Sequence, residues 1–301
     1  MSKAVKLPGN FGFRISDFGK DRTSFFSEIR NPNSEIFHTR WILVFMVTAL
    51  LLAAPPPARC ETNPILQNGE ELVYKVKFGF VRLGTAIVKT ERDATSGDVN
   101  QYKIIITLDS SPSVPFITMH EYNVSVVDAI KLMSKSFYGL HDNSGTKTEV
   151  QFHYDDAARR CFFFRKDVAT GVKKDELVLE DCPPYLEGPS MFFYGRSHAK
   201  CGQILTVPTF VDGVLSNTRF DFTCGRQYIN IDAVDNHVRT RKFNAQIQAD
   251  KASSAGISGG FSIWVSDDES AVPIRAEMKI IVGSVTLELE KWTRANWTPP
   301  S

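Results

Sequence analysis

The fold is decided by the stretch Leu72-Val73-Tyr74-Lys75-Val76-Lys77-Phe78. Its even-numbered residues are all apolar, and Lys75 and Lys77 stand between them. Successive side chains of an extended chain point to opposite faces, so this stretch presents one apolar face and one charged face. This pattern is typical of a β-strand that buries one side.

The same alternation recurs along most of the chain, first in Tyr102, Ile104, Ile106 and Leu108. Similar short runs lie at about 83–90, 117–127, 132–139, 147–154, 160–165, 176–181, 203–211, 214–223, 226–232, 239–247, 260–266, 274–282 and 284–291. Turn residues separate them, as at Asp155-Asp156, Asp212-Gly213 and Gly283-Ser284. We therefore predict an all-β, mainly antiparallel fold with one large curved sheet, either barrel-like or a sandwich.

One stretch departs from this pattern and predicts a short helix packed on the sheet or in it. In Pro189-Ser190-Met191-Phe192-Phe193-Tyr194, the proline suits a first turn, and we place the helix end at Gly195. Four bulky residues in a row indicate burial on most sides. The chain also has 22 Phe. Core filling is the favoured explanation, and the alternative is a cavity for an apolar ligand lined by Met191, Phe192, Phe193, Tyr194 and Trp264.

Residues 41–54 form an uncharged apolar run, Trp-Ile-Leu-Val-Phe-Met-Val-Thr-Ala-Leu-Leu-Leu-Ala-Ala. A membrane-spanning helix needs about 20 such residues. Arg40 precedes this run and Pro55-Pro56-Pro57 follows it, so we assign a signal peptide to 41–60 and an unstructured leader to 1–40. A single exported, periplasmic domain then occupies 61–301. It is not an integral membrane protein once the signal peptide is removed.

The cleavage site rests on Ala58-Arg59-Cys60, which fits the small-x-small rule and gives a mature start at Glu61. A lipid anchor on Cys60 is the alternative, although such anchors require a small residue in place of Arg59.

Four cysteines remain after cleavage, and an even number in an exported chain predicts two disulfides. Asp212-Gly213 is a strong hairpin signal, and pairing about it places Cys201 opposite Cys224, Leu205 opposite Phe220 and Val211 opposite Val214. A second hairpin near Gly171-Val172 pairs Cys161 with Cys182. That register sets Asp167 against Glu176, an unfavourable pair of like charges.

Several motifs resemble one protein family, the domain of unknown function 3108. They are Gly69-Glu70-Glu71-Leu72-Val73-Tyr74, Gly84-Thr85-Ala86, the run Ser190 to Tyr194 with Arg196, Trp264-Val265-Ser266-Asp267-Asp268, Pro273-Ile274-Arg275 and Gly283. The resemblance extends from about residue 65 to 292. It implies an exported bacterial β protein and brings no assigned activity.

No catalytic motif stands out, so we predict neither an enzyme nor a cofactor. Asp267-Asp268-Glu269 is the strongest acidic cluster, but adjacent strand residues diverge, and a turn between Ser266 and Pro273 explains it better. The histidines have no metal-ligand spacing. The net charge of the whole chain is +1, which does not suit a nucleic-acid partner.

Three functions are compatible with this sequence. The first is an envelope protein without enzymatic activity that binds or carries a lipid or another apolar ligand. The second is an envelope structural or assembly factor that acts through protein contacts and exposes an apolar patch. The third, ranked last, is a hydrolase that uses the acidic cluster.

Export predicts that the mature protein begins near Glu61, because the apolar run at 41–54 ends in a cleavage site. Mass spectrometry of the protein purified from the cell envelope measures its N-terminus directly. Recovery of a cytoplasmic protein that retains residues 1–60 would show that the signal-peptide assignment is wrong.

Overall fold

Alternating apolar and polar residues make β-strands the dominant element of the chain. The computed structural model describes residues 63–94, 98, 100–114, 118–200, 202–248, 257–280 and 283–301. Within these ranges the chain forms fifteen strands and one helix, α1 (Gly188–His198). The strands are β1 (Glu70–Phe78), β2 (Val81–Arg92), β3 (Gln101–Ser110), β4 (Met119–Asp128), β5 (Ser134–Asn143), β6 (Thr146–Asp155), β7 (Arg160–Asp167), β8 (Lys173–Leu179), β9 (Ile204–Val211), β10 (Val214–Phe222), β11 (Gln227–Ile229), β12 (Val238–Ile247), β13 (Ile257–Ser266), β14 (Pro273–Ile280) and β15 (Ser284–Thr293).

The predicted leader at 1–40 and signal peptide at 41–60 lie outside the described residues, as does Cys60. In the part of the chain that is described, no helix combines the length and the apolar character needed to cross a membrane.

The strands form one antiparallel sheet in the order β8-β7-β6-β5-β4-β3-β2-β1-β15-β14-β13-β12-β10-β9, and β11 pairs with β12. Strand β1 lies in the interior of this order, with β2 on one side and β15 on the other. The predicted all-β antiparallel fold is confirmed. Of the two shapes considered, barrel-like and sandwich, the structure is nearer the first: it is a single curved sheet that is not closed into a barrel.

The curvature brings the β9 end of the sheet against strands near the β8 end. The ring of Phe210 in β9 lies 4.9 Å from that of Phe152 in β6 and 5.8 Å from that of Phe163 in β7. Next to them, Arg165 donates to Asp212 at 3.1 Å. Side-chain packing therefore holds together two regions that no strand ladder joins.

A short connection before α1 supports this closure with backbone hydrogen bonds. The N–H of Leu186 donates to Pro208 O in β9 at 2.9 Å, and the N–H of Phe210 donates to Leu186 O at 2.7 Å. On the other side, the N–H of Ser134 in β5 donates to Tyr185 O at 2.9 Å. The connection thus bridges β5 and the outer edge of β9.

The hairpin at Asp212-Gly213 has the predicted register, because Leu205 faces Phe220 and Val211 faces Val214. Cys201 lies outside the described residues, so its disulfide with Cys224 stays a prediction.

A disulfide joins Cys161 to Cys182, with their Cα atoms 5.8 Å apart. The register expected for this hairpin is wrong, because Glu176 faces Phe164 and Cys161 faces Leu179. The ladder shifts at a bulge in β8, where Lys174 is the extra residue, and β8 ends before it reaches Cys182. Cys182 instead folds back from the end of the hairpin, where its N–H donates to Arg159 O at 2.8 Å.

Helix α1 is longer than predicted, because it continues through Gly195 to His198. Gly195 serves close packing and does not end the helix. A Cβ at this position would lie 2.3 Å from the Cζ of Phe243, whose side chain is fully buried. Such a distance is too short for two carbon atoms, so the helix approaches the sheet here only because residue 195 has no side chain.

We expect Gly195→Ala to lower the free energy of unfolding by about 1–3 kcal/mol, because the overpacking against Phe243 outweighs the better helix propensity of alanine. Denaturant unfolding measures the change. Gly188→Ala in the same helix is the matched control, since a Cβ there meets no atom within 4 Å. Equal stability of the two variants would contradict the packing role of Gly195.

Candidate functional site

Helix α1 lies on the concave side of the curved sheet, where the sequence favours a filled core over a ligand cavity. Its side chains Met191, Phe193 and Tyr194 are buried in one apolar cluster. The same cluster contains residues of β3, β4, β10, β12 and β13, namely Ile104, Val127, Phe220, Phe243 and Ile263. Strands from both halves of the sheet therefore contribute to the core around the helix.

The aromatic residues of α1 are in direct contact with rings of the sheet. The ring of Tyr194 lies 5.4 Å from that of Phe220, and the partly buried Phe192 lies 5.1 Å from Phe261. These separations are typical of packed aromatic pairs. The contacts favour core filling over a cavity between α1 and these strands.

The structure does not bring Trp264 to this cluster. Its neighbours Ile263 and Val265 belong to the core around α1, so Trp264 points to the opposite face of β13. There its Nε1 donates to Gln227 at 2.6 Å, and the ammonium group of Lys242 lies 4.4 Å from the centre of its ring. The prediction that Trp264 lines a cavity with Met191 and its neighbours is wrong.

Arg275 belongs to an ion-pair network on the side of the sheet that carries Trp264. It donates to Glu288 at 3.0 Å and to Asn230 O at 2.7 Å. Burial by itself raises the pKa of Glu288, but hydrogen bonds from Lys75 and Lys77 outweigh it and lower the pKa to about 2. Glu288 is therefore ionised at neutral pH and holds together cations from neighbouring strands.

A second network fixes the C-terminal half of α1. Arg196, with its side chain almost completely buried, donates to Glu70 in β1 at 2.9 Å and to Ala271 O at 3.1 Å. Arg294 pairs with the same carboxylate. Burial raises the pKa of Glu70, but the charges of the two arginines outweigh it, and the pKa lies below its ordinary value. Helix, first strand and last strand thus meet at one ionised carboxylate.

A small polar pocket of about 70 Å³ opens beside this network. Its lining includes Arg196, Lys200, Arg241, Asp268 and Glu269. A space of this size accepts a small polar group and not an acyl chain. In the part of the chain that the structure describes, no group of three or more His, Cys, Asp or Glu is arranged to hold a metal ion.

The acidic cluster at 267–269 forms the β13–β14 turn, and the strands end at Ser266 and begin at Pro273 as expected. Asp268 accepts the N–H groups of Ser270 and Ala271 and the Nε1 of Trp297 at 2.8–3.0 Å. Asp267 is buried and ion-paired with three arginines. Each carboxylate is engaged in separate contacts, which is unsuited to a shared acid–base role.

Glu187, which precedes α1, is a buried carboxyl that sequence reasoning missed. Ser125 Oγ donates to its Oε1, and its own N–H donates to Ser190 Oγ at 2.7 Å. Its Oε2 and the hydroxyl of Tyr185 have no hydrogen-bond partner within the described part of the chain. Burial raises the pKa of Glu187 to about 7, although the hydrogen bond from Ser125 opposes the shift.

The sequence profile of a protein family of unknown function, DUF3108, matches residues 73–290. This chain belongs to the DUF3108 family. No curated protein matches its sequence.

Among solved structures, the DUF3108 chain resembles a β-barrel-like protein of domain of unknown function DUF1849 from Brucella abortus. The identity is 11%, the TM-score is 0.52, and the match covers 77% of this chain and all of that one. It is also similar to an inferred exported protein with a YmcC-like fold from Bacteroides fragilis NCTC 9343. That match has 9% identity and a TM-score of 0.29, and covers 76% of this chain and 97% of that one. The similarity to the DUF1849 protein supports the assignment of a curved, barrel-like β fold.

We expect Glu187→Gln to make the protein more stable at pH 8 than the wild type. The raised pKa of Glu187 means that its contribution is complete below pH 4.5 and is lost as the pH rises to about 7. The shift corresponds to about 3 kcal/mol at most. Glutamine resembles the neutral carboxyl and removes this dependence. Denaturant unfolding at pH 5 and pH 8 measures it.

Glu149→Gln is the control for this prediction. Lys166 lowers the pKa of Glu149, so the variant gains no stability at pH 8. A stability profile of Glu187→Gln that runs parallel to the wild type across this pH range would show that Glu187 does not titrate as described.

Proposed function

We propose that this DUF3108 protein is exported to the cell envelope, has no enzymatic activity and acts through contacts of its surface with another protein. The observation that carries the proposal is an exposed aromatic side chain, Phe80, at the tip of the β1–β2 hairpin. Its side chain is 98% exposed. Export rests on the signal peptide predicted at 41–60, and the absence of activity on the separate engagement of Asp267 and Asp268 in structural contacts.

The tip, residues 78–81, is apolar on a strand pair that is otherwise well packed. Phe78 and Val81 face each other at the end of the ladder, and both are more than one-third exposed. Phe78 still lies over Gly283 of the neighbouring hairpin, where a Cβ would be 2.9 Å from its ring. Phe80 extends beyond these residues into solvent.

The charges beside the tip favour a protein as the partner. Arg82 forms two hydrogen bonds of 2.9 Å with Glu290, and Lys77 donates to Glu288 at 2.9 Å. A surface that binds anionic membranes presents unpaired cations around its apolar residues. Protein interfaces instead centre on aromatic anchors and are depleted of free charge.

The packed interior of the domain supports a function in protein contact over one in lipid transport. Met191, Phe193 and Tyr194 occupy the concave side of the sheet and are packed against its strands. An acyl chain would have to displace α1, which Arg196 attaches to Glu70 through a buried ion pair. Removal of that contact leaves an uncompensated buried charge, so displacement is unfavourable.

The test replaces Phe80 with a photo-crosslinking phenylalanine analogue in the bacterium that makes the protein. The captured partner is then purified, and its affinity for the wild type and for Phe80→Ser is measured. We expect Phe80→Ser to weaken binding by about 30-fold, as for an aromatic hot spot. Its stability should stay within about 0.5 kcal/mol of the wild type, since residue 80 is on the surface.

Tyr228 provides the matched control, because it is also an exposed aromatic residue, with 60% exposure. It lies in β11, which pairs with the first residues of β12 at the opposite end of the sheet. Tyr228→Ser should bind the partner as the wild type does. Equal affinities for all three proteins would refute the role of the tip, and a lipid that co-purifies in stoichiometric amount would favour the carrier function.

A further inference from the structure

The Asp267 carboxylate is surrounded by more positive charge than it can neutralise. Arg226 Nε donates to its Oδ2 at 2.7 Å, Arg239 Nε lies 3.4 Å from the same oxygen, and Arg241 Nε pairs with Oδ1. These four residues, the Asp267 cluster, combine three guanidinium groups with one carboxylate. The cluster therefore has an excess of two positive charges.

The three arginines of the Asp267 cluster remain partly open to solvent. In all three ion pairs, the arginine atom nearest to Asp267 is Nε. Arg239 Nη1 donates to Ser301 O at 3.0 Å. The side chain of Arg226 is 67% exposed, and those of Arg239 and Arg241 are about one-third exposed. The guanidinium groups thus lie around a buried anion while solvent still reaches them.

The polar pocket adjoins this cluster through Arg241. Lys200, which is exposed, adds a further cation to its lining, and Arg196 is already matched by Glu70. Two carboxylates also line the pocket. Asp268 is occupied by backbone N–H groups and Trp297, and Glu269 is exposed. Arg294 shares Glu70 with Arg196, so these three residues carry one net positive charge. Together with Lys200 they balance Asp268 and Glu269, and the excess of two positive charges at the Asp267 cluster remains.

We infer that Arg226, Arg239 and Arg241, oriented by Asp267, form a binding site for a phosphate group. A phosphate dianion matches the excess of two positive charges, and its oxygens accept the paired N–H groups of guanidinium forks. The neighbouring pocket of about 70 Å³ accommodates a small ionic group. The phosphate is either free in solution or part of a lipid headgroup, and both sources present the same chemistry.

Calorimetric titration of the mature protein distinguishes the two sources. One arm uses inorganic phosphate and pyrophosphate, and the other uses vesicles of phosphatidylcholine with and without phosphatidic acid. We expect saturable binding in at least one arm, and weaker binding at high salt because the site is partly exposed. Binding only to vesicles with phosphatidic acid assigns the phosphate to a headgroup, and binding of the soluble anions assigns it to a free ligand.

Arg226→Gln is the decisive variant, because it removes one charged donor from the most exposed position. We expect it to weaken binding by about tenfold or more, the usual effect of losing a charge-assisted hydrogen bond. Arg160→Gln is the matched control. Arg160 is also exposed, and its Nε also contacts one carboxylate, that of Glu180, at 2.7 Å, but no other arginine shares that carboxylate among the described ion pairs.

Two results would overturn the site: no saturable binding in either arm, or the same affinity for Arg226→Gln and Arg160→Gln. Circular dichroism of each variant confirms that it is folded. The site is independent of the proposed protein contact at the β1–β2 tip, because Phe80→Ser leaves the Asp267 cluster unchanged. Loss of partner binding and loss of phosphate binding are therefore separate outcomes.

Discussion

The structure depends on a buried ion-pair network in which Glu70 contacts both Arg196 and Arg294. Glu70 begins β1, Arg196 lies in α1 and Arg294 directly follows β15. The two arginines keep the carboxylate ionised despite its burial. Breaking such a pair by removal of one partner destabilises a protein by about 3–5 kcal/mol, because the remaining charges stay buried. The position of α1 inside the curved sheet is therefore fixed by electrostatics as well as by packing.

Residues that carry the resemblance to the DUF3108 family occupy positions where the fold permits few alternatives. A Cβ on Gly84 would lie 2.1 Å from Asp109 O in the neighbouring strand, so only glycine fits there. Glu70 and Arg196 form the central ion pair, and Asp268 closes the β13–β14 turn. These motifs specify the architecture. This explains why they identify the family without revealing a substrate.

The sequence predicts local features of this protein better than long-range ones. The alternation from Leu72 onward and the Asp212-Gly213 turn determine strands and register, because both act between near neighbours. The end of α1 depends on whether Gly195 meets Phe243, which is 48 positions away in the chain and unpredictable from helix signals. The sequence does not predict the environment of Trp264, because the side of β13 that faces α1 depends on pairing with other strands. Glu187 is missed for the same reason, since its partner Ser125 lies in β4.

Local and distant contacts also play different parts in holding the curved sheet together. Strands β1 to β8 pair in sequence order, so each ladder joins neighbouring segments. The pairing of β1 with β15 joins Glu71 to Thr293, and Arg196 reaches Glu70 across 126 positions. Contacts between distant residues require a larger loss of chain entropy before they form. Residues 182–198 form three contacts that attach this segment to different parts of the sheet. They are the Cys161–Cys182 disulfide, the Leu186 hydrogen bonds to β9 and the Arg196 ion pair. Because one short segment contains all three contacts, the two halves of the sheet are held together as a unit, and a sheet that is not closed into a barrel is compatible with a stable fold.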